Sequence, residues 1–471
     1  MGKLADKMKQ ILIENNLGYA VTPPVLRSGI DILDYRNGRI SYDKNGKKNI
    51  LVGFDVGKII GIIGKPGSSK TTLAIQMMDK MGSYFDDSVI YHYDFEQSTN
   101  DERILALTKK DKSYLTNKYL KLNSQIYQES VHDLIIKIRE VKLGKPSGPK
   151  TKIPGSFDNK IAEEWLVPNP ENPSEKVMIP TFLLIDSIAV MMPREINLDE
   201  EQGTNMLAAA VAKANANMFR KITGDLCNTA TTLIYVNHIT KKISINPRQP
   251  VTADINYLDA DENMPGGVAL RYLTNTLIKL RPGRKLVDNE EFGINGFIVE
   301  AKFIKCRSNR AGVTCNLVYN QIKGYSNILS NYLLLKEAEL VKGGGRGFYL
   351  TNLPDIKFTQ KDIESLYKTN KNFKKAFDEL VAPVLESFIP ETDDDDNDIE
   401  VEVKNLSKFS KKEKEENNKE EFIKLSKKEI RRLPKTTIEI EDEDGDSEDV
   451  ECYYDEENEK YYYIDTLEEI V

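Results

Sequence analysis

The chain alternates short apolar runs with stretches in which apolar side chains recur every three or four positions. Seven runs read as strands: IIGIIG (59–64), SVIYHYDFE (88–96), TFLLIDSIAV (181–190), ATTLIYVNHI (230–239), LTNTLIKLRP (273–282), GFIVEAKFIK (296–305) and CNLVYNQI (315–322). Helical segments such as LAIQMMDKM (73–81) lie between them. This rhythm, from Lys58 to about Tyr325, predicts an α/β core built on a mixed, mainly parallel sheet, with antiparallel pairing among the later strands. Residues 1–57 read as an N-terminal arm for oligomerisation. Leu4, Met8, Ile11 and Leu12 share a helical face there, and a Gly-rich, hairpin-like stretch follows up to Gly57. Seven prolines from Pro146 to Pro180, together with the only tryptophan, Trp165, mark an insertion at 140–180. Residues 326–390, around GGGRGFYL, read as a small α+β C-terminal domain, and 391–471 as an acidic, largely disordered tail whose last part allows a marginal hairpin.

Charge sharpens this division. The 471-residue chain carries −8, but residues 391–471 hold 30 acidic and 13 basic side chains, a net −17, which leaves +9 on residues 1–390. A basic body admits a polyanionic partner, and an acidic tail can compete for the same surface, recruit a basic partner or simply solubilise. The four cysteines are scattered without metal-ligand spacing, no segment has the length and apolarity of a membrane span, and the N-terminus is too polar for a signal peptide. These features predict a cytoplasmic protein with free thiols and no membrane association.

The chemistry begins at GKPGSSKTT (64–72), set between a strand and a helix. Backbone N–H groups of Gly64, Gly67, Ser68, Ser69 and Thr72 can cradle a phosphate at a helix N-terminus, Lys70 can reach the terminal phosphates, and Thr71 can hold Mg²⁺. The match to GxxxxGK[ST] is imperfect, since Ser69 stands where the glycine before the lysine is expected. Hydrolysis needs two further groups. Asp186 ends an apolar run, as a Walker B carboxylate would, and Glu96 ends another, where a carboxylate can orient water. Asn237 and His238 end a fourth strand and can sense the γ-phosphate or merely cap the strand. The loop after them carries Lys241, Lys242 and Arg248, then Gly266 and Gly267, where the backbone can approach a ligand closely.

Taken in order, GKPGSSKTT, YDFEQ, LLIDSIAV, YVNHI, MPGGVALRY and FIKCRSNRAG resemble the ATPase core of the RecA family of strand-exchange recombinases, over roughly residues 20–385. Ser69 and the Asn-His pair favour the phage branch typified by UvsX. The resemblance implies a RecA-type P-loop ATPase fold with ATP and Mg²⁺ as cofactors. It implies Glu96 as catalytic base, Lys70 and Thr71 on phosphate and metal, Asp186 in the metal shell, and Asn237 and His238 linking the γ-phosphate to the next loop. Lys305 and Arg307 fall where the family places cations that reach the ATP of the adjacent subunit. Arg194 begins a stretch similar to the first DNA-binding loop, and residues 240–265 are similar in position to the second. The family's adenine-stacking aromatic falls near Arg103, so a guanidinium stands in that place. The first loop is acidic and the second carries Asp254, Asp259, Asp261 and Glu262, which shifts DNA contact towards Lys241, Lys242, Arg248 and backbone amides. The implied partners are single- and double-stranded DNA, further copies of the chain in a helical filament, and a recombination mediator or single-strand-binding protein. A RecA-fold ring motor and a non-catalytic, ATP-gated DNA scaffold are the alternatives.

Overall fold

The computed structural model describes residues 24–390, apart from 43–45, 47, 124–125, 145–162, 171, 195–203, 242–255, 267, 288–291 and 345–346, and four strands of the tail. Its centre is a nine-stranded sheet. The strands are β1 (Ile59–Gly64), β2 (Val89–Asp94), β3 (Tyr119–Leu122), β4 (Thr181–Asp186), β5 (Thr231–His238), β6 (Thr276–Leu286), β7 (Gly296–Cys306), β8 (Thr314–Asn320) and β9 (Gly324–Ser326). Their order is β9-β8-β7-β6-β1-β5-β4-β2-β3. The six strands from β6 to β3 run parallel, and β7, β8 and β9 add antiparallel pairs at the other edge. The later runs therefore pair antiparallel, as their position in the sequence suggests.

β1 is buried along its whole length, and its side chains feed two cores. Ile60 and Ile62 pack with Leu73, Met77 and Met81 of α1 (Lys70–Gly82) on one face. Ile59 and Ile63 pack on the other with Phe219, Ile222 and Leu226 of α3 (Thr204–Asn228). A strand covered on both faces needs a continuous apolar run, which is why IIGIIG is so conspicuous. Gly61 interrupts it for a steric reason: a Cβ there would lie 2.4 Å from the Tyr235 hydroxyl. Between these helices in the chain, α2 (Gln128–Leu143) packs against α3.

Residues 24–57 differ from the expected arm. Leu26, Ile32, Leu33, Phe54 and Val56 are buried in the main core cluster, and Asp31 N–H donates to Asn327 Oδ1 over 2.8 Å. The stretch is thus part of the body, while the helix expected at 3–16 lies outside the described residues. Similarly, α5 (Asn327–Glu337) and α6 (Lys371–Glu386) share that core through Leu329, Tyr332, Phe373 and Phe377, so packing shows no gap at the expected 325/326 boundary. Residues 1–391 form one compact unit.

The second unit, 392–471, corrects the reading of a largely disordered tail over its last part. Lys435–Glu441, Ser447–Asp455, Lys460–Tyr463 and Glu469–Ile470 form a four-stranded antiparallel meander. Alternating Tyr, Val and Ile there supply enough β propensity to exceed the hairpin expected from sequence. The run 391–434 lies outside the described residues. In the insertion, Leu166–Pro168 and Lys176–Met178 form a short hairpin, and Trp165 packs against the main core. Among the described residues, no helix is long and apolar enough to cross a membrane.

Candidate functional site

The carboxyl ends of four adjacent parallel strands carry the candidate groups. Register places Gly64 of β1 opposite His238 of β5, and Asp186 of β4 opposite Asp94 of β2. In a parallel sheet this edge is where ligands bind, because the loops there open towards solvent and helix N-termini converge.

Gly64 is required by close approach, since a Cβ would sit 2.5 Å from Leu280 O and from Ser68 Oγ. Gly67 adopts φ +77°, with open space around it. Ser68 is buried and its hydroxyl donates to Lys65 O at 2.7 Å. Ser69 caps α1 in the left-handed region at φ 58°, a conformation that accounts for the usual glycine. Its hydroxyl meets Tyr325 Oη of β9 at 2.6 Å, so a side chain that the loop does not require instead ties it to the antiparallel edge. Lys70 is buried, and its ammonium donates to Lys65 O at 2.9 Å. Burial lowers its pKa, while the charges of Asp186 and Glu96 oppose the shift.

Thr71 donates its hydroxyl proton to Asp186 Oδ2 at 2.7 Å, joining the two expected metal-binding groups. Burial pushes Asp186 up to about 7, against the Thr71 hydrogen bond and with help from the charges of Glu96 and Asp94. Its other oxygen, Oδ1, is buried without a hydrogen-bond partner. A hydroxyl and an incompletely satisfied carboxylate are hard oxygen donors, so the residues present fit Mg²⁺.

Glu96 lies beside them. Its backbone N–H donates to Asp186 O at 3.1 Å, and Oε1 accepts from Ser187 Oγ and from His238 Nε2, the latter at 2.8 Å. Burial raises the Glu96 pKa, but these hydrogen bonds and the His238 and Lys70 charges outweigh it and hold the carboxyl below its ordinary value. An ionised carboxylate only accepts, which fixes Nε2 as the protonated nitrogen of His238. Both bonds fall on Oε1, leaving Oε2 for a water. Asn237 connects the same strand end to the following loop, its Nδ2 donating to Pro265 O at 2.6 Å and its Oδ1 accepting from His238 N–H at 2.9 Å. Gly266 follows at φ +106°, and a Cβ there would press on Ile188 at 2.9 Å.

Sequence reasoning did not find Ser187, Tyr325, Asp94 or His92, all of which contact or adjoin these groups. Ser187, next to Asp186, and Asp94, two residues before Glu96, had a local signal in the chain. Nor did it find Lys279 of β6, which is buried and paired with Asp259 at 2.7 Å and Glu262 at 2.5 Å. With Lys241–Asp261 at 3.2 Å and the pairing of Thr240–Lys241 with Glu262–Asn263, these contacts fasten the base of the second loop. The acids expected to weaken DNA contact there are thus partly spent on structure.

The remaining predicted residues are dispersed. Arg103 donates to Ile322 O at 2.7 Å, Tyr319 Oη at 3.3 Å and Thr72 Oγ1 at 3.4 Å, which puts it beside the start of α1, with its guanidinium tied to the β8–β9 turn. Lys305 and Arg307 do not join the phosphate loop. Lys305 pairs with Leu277, which pairs with Gly61, so it sits behind the carboxyl ends of the parallel strands. Lys305 Nζ donates to Arg271 O and Tyr272 O at 2.8 Å, and Arg307 to Tyr272 O at 2.6 Å, all on α4 (Val268–Leu273). Burial and the Arg307 charge lower the Lys305 pKa to about 8. Arg194 N–H donates to the Glu129 carboxylate, and its guanidinium lies 5.1 Å from the Tyr127 ring centre. Lys242, Arg248 and Gly267 lie outside the described residues.

With this geometry in view, residues 177–321 match the RecA N-terminal domain family model. That stretch begins before Asp186 and ends at the β8–β9 turn. Similar proteins include Protein RecA of Mycoplasma mobile, 26% identical over 195 residues, covering 40% of this chain and 54% of that protein. Protein RecA of Mycoplasmopsis pulmonis is 24% identical over 207 residues, covering 42% and 55%. That of Bacteroides thetaiotaomicron is 27% identical over 124 residues, covering 26% and 33%. The chain thus spans about half the length of the first two relatives. The RecA-type α/β architecture extends beyond the matched segment, since β1, α1 and β2 precede residue 177 and occupy adjoining places in the sheet.

Proposed function

We propose that this protein is an ATP-dependent DNA recombinase of the phage UvsX type, which coats single-stranded DNA as a helical filament and pairs it with homologous duplex. The observation that carries the reading is the Thr71–Asp186 contact beside a Glu96 carboxylate held ionised by Ser187 and His238. Nucleotide binding alone does not call for that second carboxylate; hydrolysis does. Mg²⁺, when bound, supplies charge neutralisation on the phosphates. Lys70 exchanges its bond to Lys65 O for phosphate oxygens, Thr71 and Asp186 serve the metal, and Glu96 orients water and takes its proton. His238 reports occupancy through Glu96, and Asn237 passes it to Pro265 and the loop beyond.

Lys305 and Arg307 lie away from their own phosphate loop, which supports a role at the ATP of an adjacent subunit. DNA would be held through backbone phosphates, so affinity falls with salt, at roughly −0.7 in log–log slope per phosphate neutralised on a single strand. The test combines ATPase assays with and without single-stranded DNA and electron microscopy with an ATP analogue. DNA-stimulated turnover, open helical filaments and loss of both activity and exchange in Lys70→Ala are expected. Closed rings would indicate a motor instead, and absence of turnover would indicate a scaffold.

A further inference from the structure

Behind the nucleotide groups, on the same face of the sheet, lies a buried cluster of different chemistry. Asp94 stands opposite Asp186 in register, and His92, two residues earlier on β2, points to the same side. All three are buried, and one ligand atom from each lies within 4.8 Å of the others. Two atoms of this cluster have no hydrogen-bond partner although they are inaccessible to solvent: His92 Nε2 and Asp186 Oδ1. Native interiors rarely leave one such group unpaired, and two on residues of one buried cluster point to a missing common partner.

That partner must suit a bare imidazole nitrogen and two carboxylates together. The other ring nitrogen, Nδ1, is 3.0 Å from Tyr119 Oη of β3. With the proton on Nδ1 and donated to Tyr119, Nε2 is left with a free lone pair. This is the orientation that outer-shell partners impose on metal-bound histidines. Asp94 is likewise held from behind, accepting from Ser98 N–H at 3.3 Å and Thr99 N–H at 3.0 Å. Asp186 directs Oδ2 to Thr71 and keeps Oδ1 free. A cation would also offset two carboxylates placed together in a low-dielectric interior, an arrangement that is otherwise costly.

We propose that His92, Asp94 and Asp186 form a buried site for a divalent first-row transition-metal ion, beside the nucleotide Mg²⁺ and sharing Asp186 with it. The imidazole selects against Mg²⁺ and Ca²⁺, which take oxygen ligands, and towards ions that accept mixed nitrogen and oxygen donors. Metal–ligand bonds of about 2.1 Å place neighbouring donors about 3 Å apart and opposite ones about 4.2 Å apart, so small side-chain rotations close the shell. The ion would hold Asp186 in place for the nucleotide without touching ATP.

The site is tested on the full chain without nucleotide, so its failure is separable from failure of the ATPase reading. Mn²⁺ is titrated in excess Mg²⁺, which saturates oxygen-only sites, and pulsed EPR reads directly bound ¹⁴N. One Mn²⁺ equivalent with nitrogen coupling is expected, and it should vanish in His92→Phe. Tyr119→Phe, which keeps all three ligands, should retain the coupling but bind Mn²⁺ about 10–100-fold more weakly. Wild-type protein without a nitrogen-coupled Mn²⁺, or coupling that survives in His92→Phe, would overturn the site. Should His92→Phe not fold, the wild-type spectrum and the Tyr119→Phe affinity decide it, and unchanged affinity in the latter counts against it.

Discussion

At the scale of single residues, the structure gives Glu96 its chemistry through partners distant in sequence. Ser187 and His238 both load Oε1, so Glu96→Gln should bind ATP normally yet slow turnover on the order of 10²–10⁴-fold, as measured by steady-state ATPase and nucleotide-binding assays. Normal turnover would reject it as the base. A second buried acid gives a prediction about stability. Asp34 is fully buried, accepts one bond from Ser28 N–H at 2.8 Å and leaves Oδ2 unpartnered. Burial, against the Ser28 hydrogen bonds, pushes its pKa from 3.8 up to about 7. The folded state therefore holds a proton that the unfolded chain releases between those values. Its contribution to stability is complete below 3.8 and is lost as pH rises towards about 7. Asp34→Asn keeps an acceptor for Ser28 and removes the titration. Thermal melts from pH 4 to 8 should show wild-type stability falling relative to the variant as pH rises, and parallel curves would refute the assignment.

At the scale of elements, the strands were legible because a strand buried on both faces must be apolar throughout, and the phosphate loop because its glycines and lysine are local. Which strand ends meet was not legible. Gly64, Asp186 and His238 converge only because β1, β5 and β4 are adjacent, an order that the sequence does not state. The same topology sets Lys305 of β7 and Arg307, just after its end, behind the carboxyl edge, bonded to α4. If they serve a neighbouring subunit, Lys70→Ala and Lys305→Ala should each lose ATPase, and a mixture should recover part of it at junctions that pair an intact Lys70 with an intact Lys305. A mixture no more active than its components would place both residues in one subunit's site or in folding alone. Lys279 shows the same limit, since a lysine in an apolar strand gave no hint that it would fasten Asp259 and Glu262 beneath a loop.

For the whole molecule, the separation of charge remains the property with the clearest functional consequence. A body of +9 and a tail of −17 belong to one chain, and tethering keeps the tail's local concentration high. Deleting 391–471 should tighten single-stranded DNA binding most at low salt, read by anisotropy across a salt series. Equal affinity at every salt would leave the tail a solubilising segment. The deletion also removes the meander, so a variant neutralising acids within 393–398 separates charge from the folded strands.

Sequence by itself determined the α/β class, the glycine-bearing turn from Gly64 to Thr72 between a strand and a helix, the two strand-end carboxylates and the acidic tail. These are consequences of local periodicity, local backbone freedom and composition, all carried by residues near one another in the chain. Only tertiary structure decided that residues 24–57 and 326–390 share the body's core. It alone decided that Ser69 is tied to Tyr325, that Glu96 is loaded by Ser187 and His238, and that His92 lies against Asp94 and Asp186. Each is a contact across strands or domains, and strand order and register create it rather than any spacing along the sequence.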